Sequence, residues 1–178
     1  MLFSRKWAIP SKDTFSIQPI GSLVKRYLAK AEISVDPFAR NNEWAAYTND
    51  LNPKTTAGHH LPAVEFLQML KDRKIKADVV IFDPPYSIRQ VKECYEGIGR
   101  EFLQTDAQNG NWSKEKRLCA ELLKPAGVFL HFGWHSNGIG LKHGFIVEEI
   151  LLVAHGRCHY DTICTVERKI QSTFDFNE

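Results

Sequence analysis

A run of apolar residues, Val79 to Phe82, stops at Asp83-Pro84-Pro85-Tyr86, and this junction constrains the chain more than any other feature. A short block of β-branched and aromatic residues reads as a strand buried on both faces. Two successive prolines fix φ and remove two amide donors, so no strand continues through them. The chain must leave its sheet in a stiff, extended turn that holds an acid and an aromatic at the C-terminal end of a strand. In open α/β sheets, ligands bind at that edge.

Residues of these kinds suit one chemistry. An exocyclic amino group conjugated to a base ring is a poor nucleophile, because its lone pair is delocalised into the ring. The Asp83 carboxylate and the Pro84 carbonyl can accept hydrogen bonds from its two N–H groups and draw the lone pair towards a methyl donor. Tyr86 offers a ring for the base to stack on, worth about 1–3 kcal/mol. Taken alone, an Asp-Pro-Pro turn is equally an ordinary strand ending with a solvated acid.

The 178 residues suffice for one domain with a real core, and the 43% hydrophobic and 25% charged content is that of a soluble globular chain. A net charge of +2 neither requires nor excludes nucleic acid. No apolar run approaches the roughly 20 residues that span a bilayer, and Met1 to Lys6 lacks a signal-peptide core, so a cytoplasmic protein is expected. Cys94, Cys119, Cys158 and Cys164 form no C-x-x-C pair and are expected to be reduced, mostly buried thiols, Cys94 and Cys119 on the apolar faces of helices. His131/His135 and His155/His159 have the i, i+4 spacing of a helical zinc site but fall in strand and loop, so no metal is expected.

Taken in order, residues 1–20 read as a basic, aromatic, irregular arm ending in a short extended piece, Thr14 to Ile17. Ser22 is placed to cap a helix with Leu23, Val24, Tyr27 and Leu28 inward. Strands at Ile33 to Val35 and Ala45 to Thr48 each end at an acid, Asp36 and Asp50; a carboxylate at the second position can take both ribose hydroxyls. A helix over Leu61 to Leu70 leads into the Val79–Phe82 strand, which completes the alternation of a parallel sheet. A helical piece with Val91, Cys94 and Tyr95, a glycine- and asparagine-rich loop within 97–112, and a helix from Ser113 follow, the last ended by Pro125-Ala126-Gly127. The Val128 to Phe132 strand runs into Gly133 to Gly140, and Glu148 to Ala154 with Ile163 to Val166 form an antiparallel hairpin.

Asp83-Pro84-Pro85-Tyr86 resembles the catalytic motif of the amino-methylating DNA methyltransferases, the adenine-N6 kind in particular. Asp36-Pro37-Phe38 is similar to their S-adenosylmethionine motif, and Asn49-Asp50 to the ribose-binding acid. The stretch from Lys6-Trp7 to Ser16-Ile17 stands where these enzymes carry a further cofactor segment. From Arg5 to about Lys169 the pattern resembles the small adenine methyltransferases of phages and prophages. The resemblance implies one Rossmann-like α/β domain over residues 1–178, a mixed sheet with an antiparallel C-terminal hairpin, and no separate target-recognition domain.

It further implies S-adenosylmethionine as cofactor, held by Trp7, Ser16, Asp36, Pro37, Phe38, Asp50, Leu51 and Asp83. Asp36 and Phe38 would meet its methionine end, Asp50 the ribose and Leu51 the adenine ring. Asp83, Pro84, Pro85 and Tyr86 would hold a flipped adenine of DNA, expected to be double-stranded. Recognition would fall to the 87–112 segment, the Trp134–Gly140 loop and the Gly156–Asp161 turn, with Arg89, Lys92, Trp134, His135 and Arg157 as contacts and a homodimer as one way to extend them. Where the family has glycine after its Asp-Pro-Phe-Ala segment, this chain has Arg40. Two alternatives share the scaffold. One is methylation of cytosine N4, an RNA base or a glutamine side chain; the other is a non-catalytic DNA-binding protein.

Overall fold

The computed structural model describes residues 1–101, 112–156 and 159–170. Seven strands form one sheet: β1 (Leu2–Trp7), β2 (Ser34–Asp36), β3 (Tyr47–Thr48), β4 (Ala77–Phe82), β5 (Leu123–Gly133), β6 (Phe145–Ala154) and β7 (Thr162–Lys169). Their order across the sheet is β1-β6-β7-β5-β4-β2-β3. Every neighbouring pair is parallel except the two made by β7, which runs against both β5 and β6. This is the expected mixed α/β sheet with an antiparallel C-terminal hairpin.

Helices cover both faces. On one, α1 (Gln18–Leu28) lays Ile20, Leu23 and Val24 onto Val79, Ile81, Leu130 and Val166. On the other, α2 (Ala63–Asp72) and α4 (Ser113–Leu122) bury Phe66, Leu67, Leu70, Leu118 and Leu122 against Val80, Phe82 and Phe129. Alternate residues of β4 thus feed opposite cores, as a two-fold side-chain period requires when both faces are covered. A third helix, α3 (Ile88–Gly97), starts at Ser87, whose side chain accepts from the Gln90 N–H, and buries only Val91.

The strand order reverses beside β4. The chain runs outwards from β2 to β3, returns through α2, and places β4 on the opposite flank of β2. Connections that part in opposite directions leave a crevice above the carboxyl ends of the two strands. Asp36 and Asp83 emerge at that point.

Several local expectations are corrected. Residues 2–7 are not an irregular arm but an edge strand, parallel to β6 from Leu2 beside Glu149 to Trp7 beside Ala154. Both faces of that strand are largely exposed, so the segment carries no alternation to read, and its partner lies near the other end of the chain. Thr14–Ser16 is a single 3-10 turn rather than an extended piece, its first amides turned in by the Asp13 carboxylate, which accepts from Phe15 N. The helix expected from Ser22 begins at Gln18, because Pro19 fits its first turn. Pro125-Ala126-Gly127 does not separate helix from strand: β5 starts directly at Leu123, and the three residues form an irregularity within it, with Ala126 at φ 62°. Cys94 is exposed rather than buried, while Cys119 and Cys164 are buried; Cys158 lies outside the described residues.

Gly21 shows how the N-terminal turn is seated. Glycine within a helix costs about 1 kcal/mol relative to alanine, yet a Cβ here would collide with the Phe15 carbonyl oxygen. The helix and the turn touch backbone to backbone, and only hydrogen fits between them. Gly21→Ala is therefore expected to destabilise the protein by about 1–3 kcal/mol despite its better helix propensity, read as a lower urea midpoint. An equal or higher midpoint would show that the turn is not seated on the helix.

Candidate active site

The crevice is built from the ends of β2, β3 and β4. Asp36 ends β2 and is almost fully buried, 1% exposed; its Oδ1 accepts from Phe38 N at 3.0 Å. Burial pushes its carboxyl well above the usual carboxylate range, and the nearby charges of Asp83 and Asp50 add to the shift. Phe38 turns inwards, edge-on to Phe82 and Trp112. Asp50 follows β3, each carboxylate oxygen accepting one backbone amide: Oδ1 from Asn52 at 2.8 Å and Oδ2 from Arg40 at 3.1 Å. Leu51 sits beside it, half-buried.

Asn49 ties these loops together. Its side-chain amide donates to the Pro37 and Leu61 carbonyls at 3.1 and 3.0 Å and accepts from Leu61 N at 2.9 Å. A buried amide that satisfies both neighbouring loops fixes the distance between Asp36 and Asp50. Sequence reading assigned Asn49 no such part.

Arg40 stands at φ 53°, the left-handed backbone that glycine adopts freely. The backbone path is thus kept without glycine. The guanidinium of Arg40 also donates to the Lys12 carbonyl, joining the loop after β2 to the N-terminal segment.

Asp83 follows β4. Burial raises its carboxyl above the ordinary 3.8, while hydrogen bonds from Tyr86 and Thr14 and the charge of Arg40 act in the opposite direction. The Tyr86 hydroxyl donates to Asp83 Oδ1 at 2.5 Å, and Tyr86 N donates to Gln90 Oε1 at 2.6 Å. Burial and the Asp83 charge hold the phenol well above its usual 10, so it remains a donor at every ordinary pH. The acid and the aromatic of the turn are therefore locked to one another.

The N-terminal segment reaches this site through Thr14, which sequence reading missed. Its hydroxyl lies against both Asp83 and Tyr86. Ser16, the residue expected there, instead bonds Ser11 Oγ and the Asp13 carbonyl at the surface. Trp7 ends β1 at 65% exposure, across the sheet from β2 and β3. Asp36, Pro37, Phe38, Asp50, Leu51 and Asp83 do gather at one sheet edge; Trp7 and Ser16 lie outside that group.

A small cleft of about 30 Å³ opens beside the Pro84-Pro85-Tyr86 turn, lined also by Lys116, His131, Trp134 and His135. His131 is 2% exposed and stacks between Phe82 and His135 at 6.1 and 5.6 Å. Among the described residues its Nδ1 has no hydrogen-bond partner, and burial lowers its pKa from 6.5 to about 3. Arg89 and Lys92 lie on α3, each paired with a glutamate one turn along, Glu93 at 2.8 Å and Glu96 at 3.5 Å. Arg157 lies outside the described residues. Among the described residues no three His, Cys, Asp or Glu side chains gather as metal ligands, and no helix is long and apolar enough to cross a membrane.

No protein-family model matches the chain, and no curated protein matches it in sequence. Solved structures do. TrmN from Thermus thermophilus superposes with a TM-score of 0.56 at 14% identity, over 86% of this chain and 49% of that one. NSun6 from Pyrococcus horikoshii, solved with SFG, gives 0.53 at 13% identity, over 83% and 50%. The N-methyltransferase NodS from Bradyrhizobium japonicum WM9 gives 0.52 at 8% identity, over 90% of this chain and 99% of that one. The chain spans about half the length of the first two. It has the Rossmann-like fold of S-adenosylmethionine-dependent methyltransferases.

Proposed function

We propose that this chain transfers a methyl group from S-adenosylmethionine to the N6 amino nitrogen of adenine in DNA. One observation carries the reading: the Asp83-Pro84-Pro85-Tyr86 turn stands at the point where the strand order reverses, with its acid and its aromatic locked together. The residues present fit the cofactor. Asp50 keeps acceptor capacity on both oxygens beyond its two amide bonds, which suits a pair of ribose hydroxyls, and Asp36, held by Phe38 N, lies near enough to feel its charge. When bound, the cofactor supplies an activated methyl group, so positioning is the main task left to the protein.

Asp83 and the Pro84 carbonyl accept the two amino hydrogens of the target base and orient its nitrogen lone pair. Tyr86 gives the base a ring to lie against and holds the acid by a hydrogen bond, with the Thr14 hydroxyl close to both. The surplus proton of the product leaves from an ammonium-like nitrogen that is far more acidic than an amine. Arg40 closes the loop after β2 onto the N-terminal segment and so helps to bring Thr14 over the acid.

The test is transfer of a labelled methyl group to unmodified DNA, followed by nucleoside analysis. N6-methyladenine is the expected product. N4-methylcytosine, or labelled RNA or protein in its place, would replace the substrate; no transfer and no cofactor binding would leave a scaffold without the reaction.

A further inference from the structure

Three aromatic rings lead from the turn to the surface. Tyr86 meets Trp134 at 6.0 Å between centroids, edge to face, and Trp134 meets Tyr160 at 4.4 Å with planes 36° apart. Trp134 is 37% exposed and Tyr160 71% exposed. Tyr160 therefore turns most of its ring to solvent while leaning on a second ring that borders the cleft beside Pro84 and Pro85.

Hydrogen bonds tie both supports of this shelf to neighbouring elements. The loop carrying Trp134 is held from below by Glu167, whose carboxylate accepts from Ile139 N at 2.6 Å and Gly140 N at 2.9 Å. The turn carrying Tyr160 is held by His155, whose ring bonds the Ala8 carbonyl and Thr162 Oγ1, both at 2.9 Å, while Asp161 accepts from His155 N. A platform fixed before binding loses little entropy when a ligand lies on it.

Charge narrows the occupant. Among the described residues, the charged side chain on the cleft wall is Lys116, next to the imidazoles of His131 and His135. The Lys116 ammonium donates to the Asn137 carbonyl at 2.6 Å, at the foot of the same loop. An aromatic surface bordered by a cation suits a base with its phosphate. In a duplex both faces of each base are already stacked on neighbours, so a ring face offered beside the turn engages only bases that are out of the helix.

We infer that the substrate is an unpaired DNA strand, with a base flanking the target stacked on the Tyr160–Trp134 shelf and the adjoining phosphate at Lys116. This inference rests on the reading under Proposed function. Tyr160 is here a positioning residue that touches a neighbour of the target, not the reacting base.

The test is fluorescence anisotropy with one labelled adenine-containing oligodeoxynucleotide, single-stranded or annealed to its complement, measured without cofactor on wild type, Tyr160→Ala and Tyr160→Phe. The single strand should bind about tenfold more tightly than the duplex, Tyr160→Ala should lose about tenfold on the single strand only, and Tyr160→Phe should restore it. Equal affinity for duplex and single strand, or no effect of Tyr160→Ala, overturns the inference. Because Tyr160 is exposed, loss of fold does not confuse the result. N6-methyladenine made equally well on duplex by wild type and Tyr160→Ala would keep the reaction and remove the shelf. Tyr160-dependent binding without any methyl transfer would keep the shelf and remove the reaction.

Discussion

Asp83→Asn is expected to lower methyl transfer roughly 10²–10³-fold, the usual cost of removing one aimed hydrogen-bonding group from a reacting centre, with thermal unfolding little changed. The replacement has the same shape but turns one acceptor oxygen into an N–H donor, which faces the donors of the target amino group. The Tyr86 hydroxyl still finds the remaining oxygen, so the turn should keep its geometry. Measured as single-turnover transfer at saturating cofactor, wild-type activity in Asp83→Asn would dismiss the acid from the chemistry. The pH profile gives a second check. In the proposed reaction Asp83 acts as a carboxylate, and burial raises its folded-state pKa above 3.8. Transfer should thus rise with pH, with its acidic inflection above the ordinary carboxylate value.

The second large effect concerns His131 and acid stability. Its pKa falls from 6.5 to about 3 on folding, because the ring is buried among Phe82, Phe129 and His135 with the Lys116 charge nearby. Below pH 6.5 the unfolded chain takes up a proton that the folded chain refuses. Stability is therefore full above 6.5 and declines as pH falls towards 3, a loss on the order of 4 kcal/mol from this one group. His131→Phe should remove that slope, since a phenyl ring suits the same aromatic stack and leaves no unpaired Nδ1. Urea midpoints at neutral pH and near pH 4 decide it. An equal drop in wild type and His131→Phe would mean that His131 does not carry the acid sensitivity.

Much of the site is legible in the amino-acid sequence because its signals are local. The prolines of the Asp83 turn dictate the end of β4 wherever the strand is placed. Apolar residues at helical spacing, such as Leu23 and Val24 or Phe66, Leu67 and Leu70, face inwards as their periodicity requires. Asp36 and Asp50 can be assigned to strand ends from the short apolar runs before them, although β3 is only two residues long. Cys94 departs from its expected burial because α3 lies on the surface and buries Val91 alone. Trp7 and Ser16 follow only from their place in a resemblance, and place along a chain does not say which side chain turns inwards.

By itself, the sequence determined the alternating strand–helix plan, the break after Phe82, and the acid and tyrosine held there, since each follows from backbone preference or from periodicity within one element. Only the tertiary structure decided that β1 closes the sheet beside β6, that Thr14 reaches Asp83, that Arg40 takes a left-handed backbone and ties down Lys12, and that Tyr160 leans on Trp134. Each of these joins segments distant in the chain. Their geometry is set by packing two helical layers on one twisted sheet, and no local pattern of residues encodes it.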